Sequence, residues 1–160
     1  AAEQNNELGG SMDEVLRLAE AENPGSKVEM KVYTGGQFGE RYALVVAITK
    51  DTALTDAERA EALQDAWKSP DPASGVQTTF SGIEDVDAGP LGGSAQCGLA
   101  YSRREQPDVF GNHMFSTTQC VAIGTNTVIE YNESAELSGM KIAKTADDLR
   151  KFRAQAEVKR

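Results

Sequence analysis

Lys27-Val28-Glu29-Met30-Lys31-Val32-Tyr33 and Arg41-Tyr42-Ala43-Leu44-Val45-Val46-Ala47-Ile48-Thr49 are the stretches that decide the fold. The first alternates polar with apolar residues, the period of a strand with one face in a core and one in water. The second is apolar enough for a central strand. Gly35-Gly36 and Gly39 lie between them, so the chain turns back and the two pair antiparallel as a hairpin.

Upstream, Ser11-Met12-Asp13-Glu14 fits a helix capping box, in which the first side chain and the fourth satisfy each other's free backbone N–H groups. Met12, Val15, Leu16 and Ala19 then form an apolar stripe that stops at Asn23-Pro24-Gly25. Downstream, Thr55-Asp56-Ala57-Glu58 repeats the capping signal and opens a helix to Trp67, with Ala60, Leu63 and Trp67 on one face. Ser69-Pro70-Asp71-Pro72 ends it, since proline cannot continue the hydrogen-bond ladder. Strands are expected at Val76 to Ile83, Ala95 to Ser102, Met114 to Ile123 and Thr127 to Tyr131. Thr145 to Val158 closes the chain as a helix with Leu149, Phe152 and Ala156 on one face, its start marked by Asp147 and Asp148 at the positive end of the helix dipole. Asp13 and Glu14 play the same part in the first helix. The order is helix, two strands, helix, four strands, helix. That order predicts an α+β domain, an antiparallel sheet of about five to six strands with three helices packed against it. Residues 1–10 read as a flexible N-terminal segment and 11–160 as a single domain.

A net charge of −9 over 160 residues excludes a nucleic-acid partner, because there is no counter-charge for a phosphate backbone. An anionic membrane surface would repel the domain as well. The longest apolar run, Tyr42 to Ile48, is far too short for a membrane span, so any membrane attachment comes through a segment outside this chain.

There are two cysteines, Cys97 and Cys120, with no CxxC or Cys/His cluster, which leaves a metal poorly supplied with ligands. A disulfide is their simplest use and requires an oxidising compartment. The alternative is two unpaired thiols packed as small hydrophobes in a cytosolic protein. Before Cys97, Gly89-Pro90-Leu91-Gly92-Gly93 reads as a shaped turn, with Gly89, Gly92 and Gly93 permitting positive φ and Pro90 fixing the bend. A phosphate cradle is the other reading of such glycines, but it wants a following helix and a lysine.

In this region the chain resembles the extracytoplasmic domains of small actinobacterial membrane proteins and lipoproteins. Their pattern is Ala-Gly-Pro-Leu-Gly-Gly, then Cys-Gly, then a second Cys followed by Val-Trp-Ala-Asp and a Thr. Ala88 to Gly93, Cys97-Gly98, Cys120-Val121 and Thr127 correspond, while Ala122-Ile123-Gly124 stands where the family carries Trp-Ala-Asp. The resemblance covers residues 85 to 130. It implies a Cys97–Cys120 disulfide, an anchor N-terminal to residue 1, a place at the cell surface or outside it, and no known catalysis.

Catalytic residues are in short supply. The single histidine, His113, has no G-x-S-x-G elbow to serve, and a thiol nucleophile conflicts with the disulfide. Asp85 with Asp87, or Glu130 with Glu133, could in principle serve acid–base chemistry or hold calcium. Trp67 and the Phe38/Tyr42 pair are candidates for a binding surface, although a lone tryptophan at helical spacing is usually core. Ser102 to Asn112 lies inside the presumed disulfide loop, and Arg103, Arg104, Asp108, Phe110 and His113 make it the candidate binding loop. The expectation is a non-catalytic domain that binds or senses a small ligand or an envelope protein, without cofactor or metal. The alternatives are a small carboxylate-dependent hydrolase and a secreted inhibitor that presents the 102–112 loop.

Overall fold

A computed structural model describes residues 16–17, 19–21, 23–35, 41–70, 75–106, 112–134 and 142–156. Its strands are β1 (Ser26–Gly35), β2 (Arg41–Lys50), β3 (Val76–Val86), β4 (Ser94–Arg104), β5 (Met114–Ile123) and β6 (Thr127–Ser134). Its helices are α1 (Asp56–Ala66) and α2 (Ile142–Ala156). Leu16, Arg17 and Ala19–Ala21 are also helical, and the Asn23 side-chain amide donates to Ala19 O at 2.9 Å where that segment ends. The fold is α+β, with one antiparallel sheet in the order β1-β2-β6-β5-β4-β3. The expected hairpin is β1–β2, and β2 pairs on its other side with β6. Residues 1–10 and the Ser11 to Glu14 capping signal lie outside the described residues.

Among the described residues α2 packs on one face of the sheet and α1 on the other. On one face Ala43, Val45 and Ala47 of β2, Ile129 and Tyr131 of β6, Cys120 and Ala122 of β5, and Ala95 and Cys97 of β4 form a cluster closed by Ala146 and Leu149 of α2. The inward positions of α2 run Ile142, Thr145, Ala146, Leu149, Phe152 and Arg153, the 3.6-residue stripe of a helix lying on a core. On the other face α1 covers Val121, Ile123 and Val128. Strand period 2 explains the division, since Cys120 and Ala122 face one helix while Val121 and Ile123 face the other.

Cys97 and Cys120 face each other across β4 and β5, fully buried and joined as a disulfide. The Gly89 to Gly93 segment that precedes them is held by α2. Arg153, 1% exposed, donates through Nη1 to Ala88 O at 2.7 Å and Gly92 O at 3.1 Å, while Arg150 donates to Asp87 O at 3.1 Å. A buried guanidinium is costly unless its donors are satisfied, and the carbonyls of this turn supply acceptors for it. Gly93 has φ +88°, and a Cβ there would lie 2.0 Å from Ile123 O, so no other residue fits.

Several element boundaries differ from the sequence expectation for visible reasons. Helix α2 begins at Ile142, not Thr145, because Ile142 packs on the core and the Lys144 ammonium and Thr145 hydroxyl both reach Glu133 of β6, at 2.6 and 3.1 Å. Asp147 and Asp148 therefore lie inside the helix, paired with Arg150 and with Lys144 and Lys151. Strand β6 runs on to Ser134, whose Oγ accepts from the Tyr42 N–H at 3.0 Å. In α1 the expected capping box is present between Thr55 and Glu58, and Glu58 is also held by the Lys50 ammonium at 2.8 Å. The Lys50 bond and the Thr55 backbone and hydroxyl bonds push the Glu58 carboxyl down to about 2. Ala60, expected on the inner face of α1, is exposed; Ala66 takes the buried position. Strand β3 carries a bulge between Ser81 and Glu84.

Two stability predictions come from this packing. Removing the cystine by Cys97→Ser is expected to cost about 3 kcal/mol by loop entropy, a fall of roughly 6–12 °C in Tm for a chain of this size; an unchanged melting curve would overturn it. Gly93→Ala is expected to lose about 2–4 kcal/mol from the combined strain and close approach, read as an earlier midpoint in urea unfolding.

Candidate functional site

Helix α1 is too short to cover its whole face. Where it stops, a groove of about 330 Å³ opens between its C-terminal end and the sheet, within the size range of small-molecule sites. Its floor comes from Leu44 of β2, Glu130 and Asn132 of β6, Phe115, Thr117 and Gln119 of β5, and Ala100 and Ser102 of β4. Thr78 and Phe80 of β3 and Tyr42 of β2 stand at the sides, and Asp65, Ala66, Lys68 and Pro70 form the helix wall.

Fixed contacts shape this wall. The Gln119 amide donates to Ala66 O at 2.6 Å, so a buried floor residue pins the last helical carbonyl. The Trp67 indole, just past the helix, donates to Gln96 Oε1 at 2.9 Å and meets Phe80 edge-on at 5.5 Å. Gly98 lies close beneath it, where a Cβ would sit 3.2 Å from the Trp67 ring. Trp67 is thus half-buried and structural, and Pro70 stops the helix from extending over the groove. The Thr78 and Ser102 hydroxyls bond each other at 2.9 Å.

Glu130 is the chemical oddity. Its register partners are Val46 on β2 and Val121 on β5, and desolvation raises its pKa above the usual carboxylate value. The other charged pair of the lining, Asp65 and Lys68, is a salt bridge. Arg104, near one end of the groove, lies over the Phe115 ring at 4.3 Å. Tyr42 sits at the same end, where burial raises the phenol pKa and the Arg104 charge opposes the rise.

The expected site residues distribute unevenly. Arg103 is exposed and Arg104 half-buried at the end of β4, and the Arg104 N–H donates to His113 O at 2.9 Å. His113 is exposed, its Nδ1 3.2 Å from Arg104 O. Asp108 and Phe110 of the candidate loop, like Phe38, lie outside the described residues. Gly89, Pro90, Gly92 and Gly93 form the turn held by α2, remote from the groove.

The carboxylates of the expected pairs are engaged separately. Glu130 and Glu133, three residues apart on one strand, project from opposite faces: Glu130 lines the groove, while Glu133 binds Lys144 of α2. Asp85 accepts from the Gln96 side chain at 3.0 Å and Asp87 from the Gly89 N–H at 2.9 Å, so each serves a local bond. Among the described residues no three His, Cys, Asp or Glu side chains cluster as metal ligands, and no helix is long and apolar enough to cross a membrane. Sequence reasoning weighed Glu130 only as half of a pair. The signal that singles it out is Val128-Ile129-Glu130-Tyr131, a carboxylate set in an apolar strand run. Compared with family models, curated proteins and solved structures, the chain matches none.

Because Glu130 ionises at higher pH in the folded chain than in the unfolded one, the folded chain holds the extra proton in between. Its contribution to stability is complete below the ordinary carboxylate pKa and is lost as pH rises through the folded value. Glu130→Gln is therefore expected to raise Tm at pH 7 relative to the parent and to leave it unchanged near pH 4. A scan of both proteins between those limits checks it, and parallel curves would count against a desolvated carboxyl.

Proposed function

We propose that this chain is a non-catalytic binding domain of the extracytoplasmic space, and that the groove beside α1 receives a small ligand with an apolar body. The observation that carries the reading is the groove itself, in which Leu44, Phe80, Ala100 and Phe115 lie among the polar side chains of Thr78, Ser102, Thr117, Gln119, Glu130 and Asn132. Ligand pockets combine apolar contact surface with placed polar groups that orient the ligand. The scattering of the described carboxylates favours binding over hydrolysis. The Cys97–Cys120 cystine supports an oxidising compartment, in keeping with the resemblance to extracytoplasmic domains. The acidic net charge suits a domain held in solvent.

The neutral dye N-phenyl-1-naphthylamine reports on the groove by its fluorescence in apolar surroundings. Saturable enhancement is expected for the parent and a loss of at least about tenfold in affinity for Asn132→Phe, which places a ring in the space. Equal binding by a folded Asn132→Phe protein would move the site elsewhere. Protein taken from its native cells under acid thiol trapping is expected to carry no free thiol; two trapped thiols would overturn the compartment.

A further inference from the structure

A groove built only to hold an apolar body has no use for a carboxylate on its floor. Glu130 stands there between Val46 and Val121, in the strand positions that face the space under the end of α1. Glu130 is half-buried, and covering a carboxyl beside apolar neighbours is unfavourable unless something returns the interaction it gives up in water. Among the described residues, no hydrogen bond or ion pair of the protein supplies it. The lysine on the helix wall is taken by Asp65, and Arg104 is stacked on Phe115.

The remaining charges point the same way. Asp65 and Lys68 cancel, so the lining carries one net negative charge, that of Glu130. The helix wall is the C-terminal end of α1, which has no basic residue in its last turn. Phe115, Phe80 and Tyr42 bring aromatic rings to the same space, and rings favour a cation over an anion, as the Arg104 guanidinium over Phe115 illustrates.

Resting on the groove as the binding site, we propose that its ligand is a small organic cation, an ammonium group on an apolar or aromatic body, with the ammonium seated on Glu130. The ligand's positive charge replaces the water that Glu130 lost, and its apolar body covers Leu44, Ala100 and Phe115. Asn132, beside Glu130 on the same strand face, offers a further carbonyl acceptor to the ammonium.

The test uses three probes with one phenyl ring and different charge, benzylammonium, benzyl alcohol and benzoate, titrated at neutral pH into the full ¹⁵N-labelled chain. Amide shifts are followed at Ala100, Thr117, Glu130 and Asn132. Benzylammonium is expected to shift these amides saturably and to bind at least about tenfold more tightly than benzyl alcohol, with benzoate weakest, as a charge-assisted contact requires. Glu130→Gln is expected to remove the preference for the cation, and Asp65→Asn to keep it. Equal affinity for the cation and the alcohol overturns the proposal while leaving the groove as a binding site, and so does a preference for benzoate. Loss of the preference in Asp65→Asn but not in Glu130→Gln overturns it as well. Absence of any shift at the four amides overturns both this inference and the groove as the binding site. Should Glu130→Gln fail to fold, the three probes on the parent chain still decide whether positive charge is selected.

Discussion

A six-stranded sheet has two faces to bury, and among the described residues α2 packs on one core cluster and the shorter α1 on the other. Strands lie about 4.8 Å apart and a helix with its side chains is about 10 Å across, so neither helix can cover the full width. The longer one, α2, lies over the middle strands, where the cystine and the small residues Ala43, Ala47, Ala95 and Ala122 leave room for it. The shorter one covers Val121, Ile123 and Val128 and then stops. The groove is the uncovered remainder, and its existence depends on that inequality of helix length more than on any single side chain.

The Gly89 to Gly93 turn and the cystine belong to the other side of this arrangement. Arg153 and Arg150 tie the turn to α2, and the turn leads into the strand that carries Cys97. Helix, turn and disulfide therefore form one assembly behind the sheet. The Lys144, Glu133 and Asp148 network extends it to β6: the bond to Glu133 keeps the Lys144 ammonium charged well above its ordinary range, although burial opposes it and Asp148 assists. Nearby, burial pushes the Tyr131 phenol up to about 12. These bonds tie α2 to the sheet on one side, whereas the groove lies on the other.

The fold class was legible because its signals are local. Alternation in Lys27 to Tyr33, the capping box at Thr55 and Glu58 and the apolar periodicity of Leu149 and Phe152 each depend on a few neighbours in the chain. The antiparallel order followed from the sequence of elements. The candidate site was much less legible, because it is assembled from five strands and the end of a helix. Leu44, Phe80, Ala100, Phe115 and Glu130 share no segment, and only register brings them to one face. Alternation did contain one usable constraint. A spacing of three along a strand sends Glu130 and Glu133 to opposite faces, which rules out the pair that their proximity in sequence suggests. The start of α2 was misplaced because Ile142 and Lys144 act through contacts with the core and with β6, which no capping rule anticipates.

The bulge in β3 has a bearing on how the molecule lives among others of its kind. An edge strand exposes unpaired amide and carbonyl groups that can template a neighbouring chain. Between Ser81 and Glu84 the ladder slips by one residue, and Gly82 there has φ +60°. A strand bent in this way cannot accept a straight partner along its length. The irregularity therefore ends the growth of the sheet on the side nearest Trp67 and discourages stacking edge to edge at high concentration. An interruption in regular pairing thus acts as a safeguard against self-assembly.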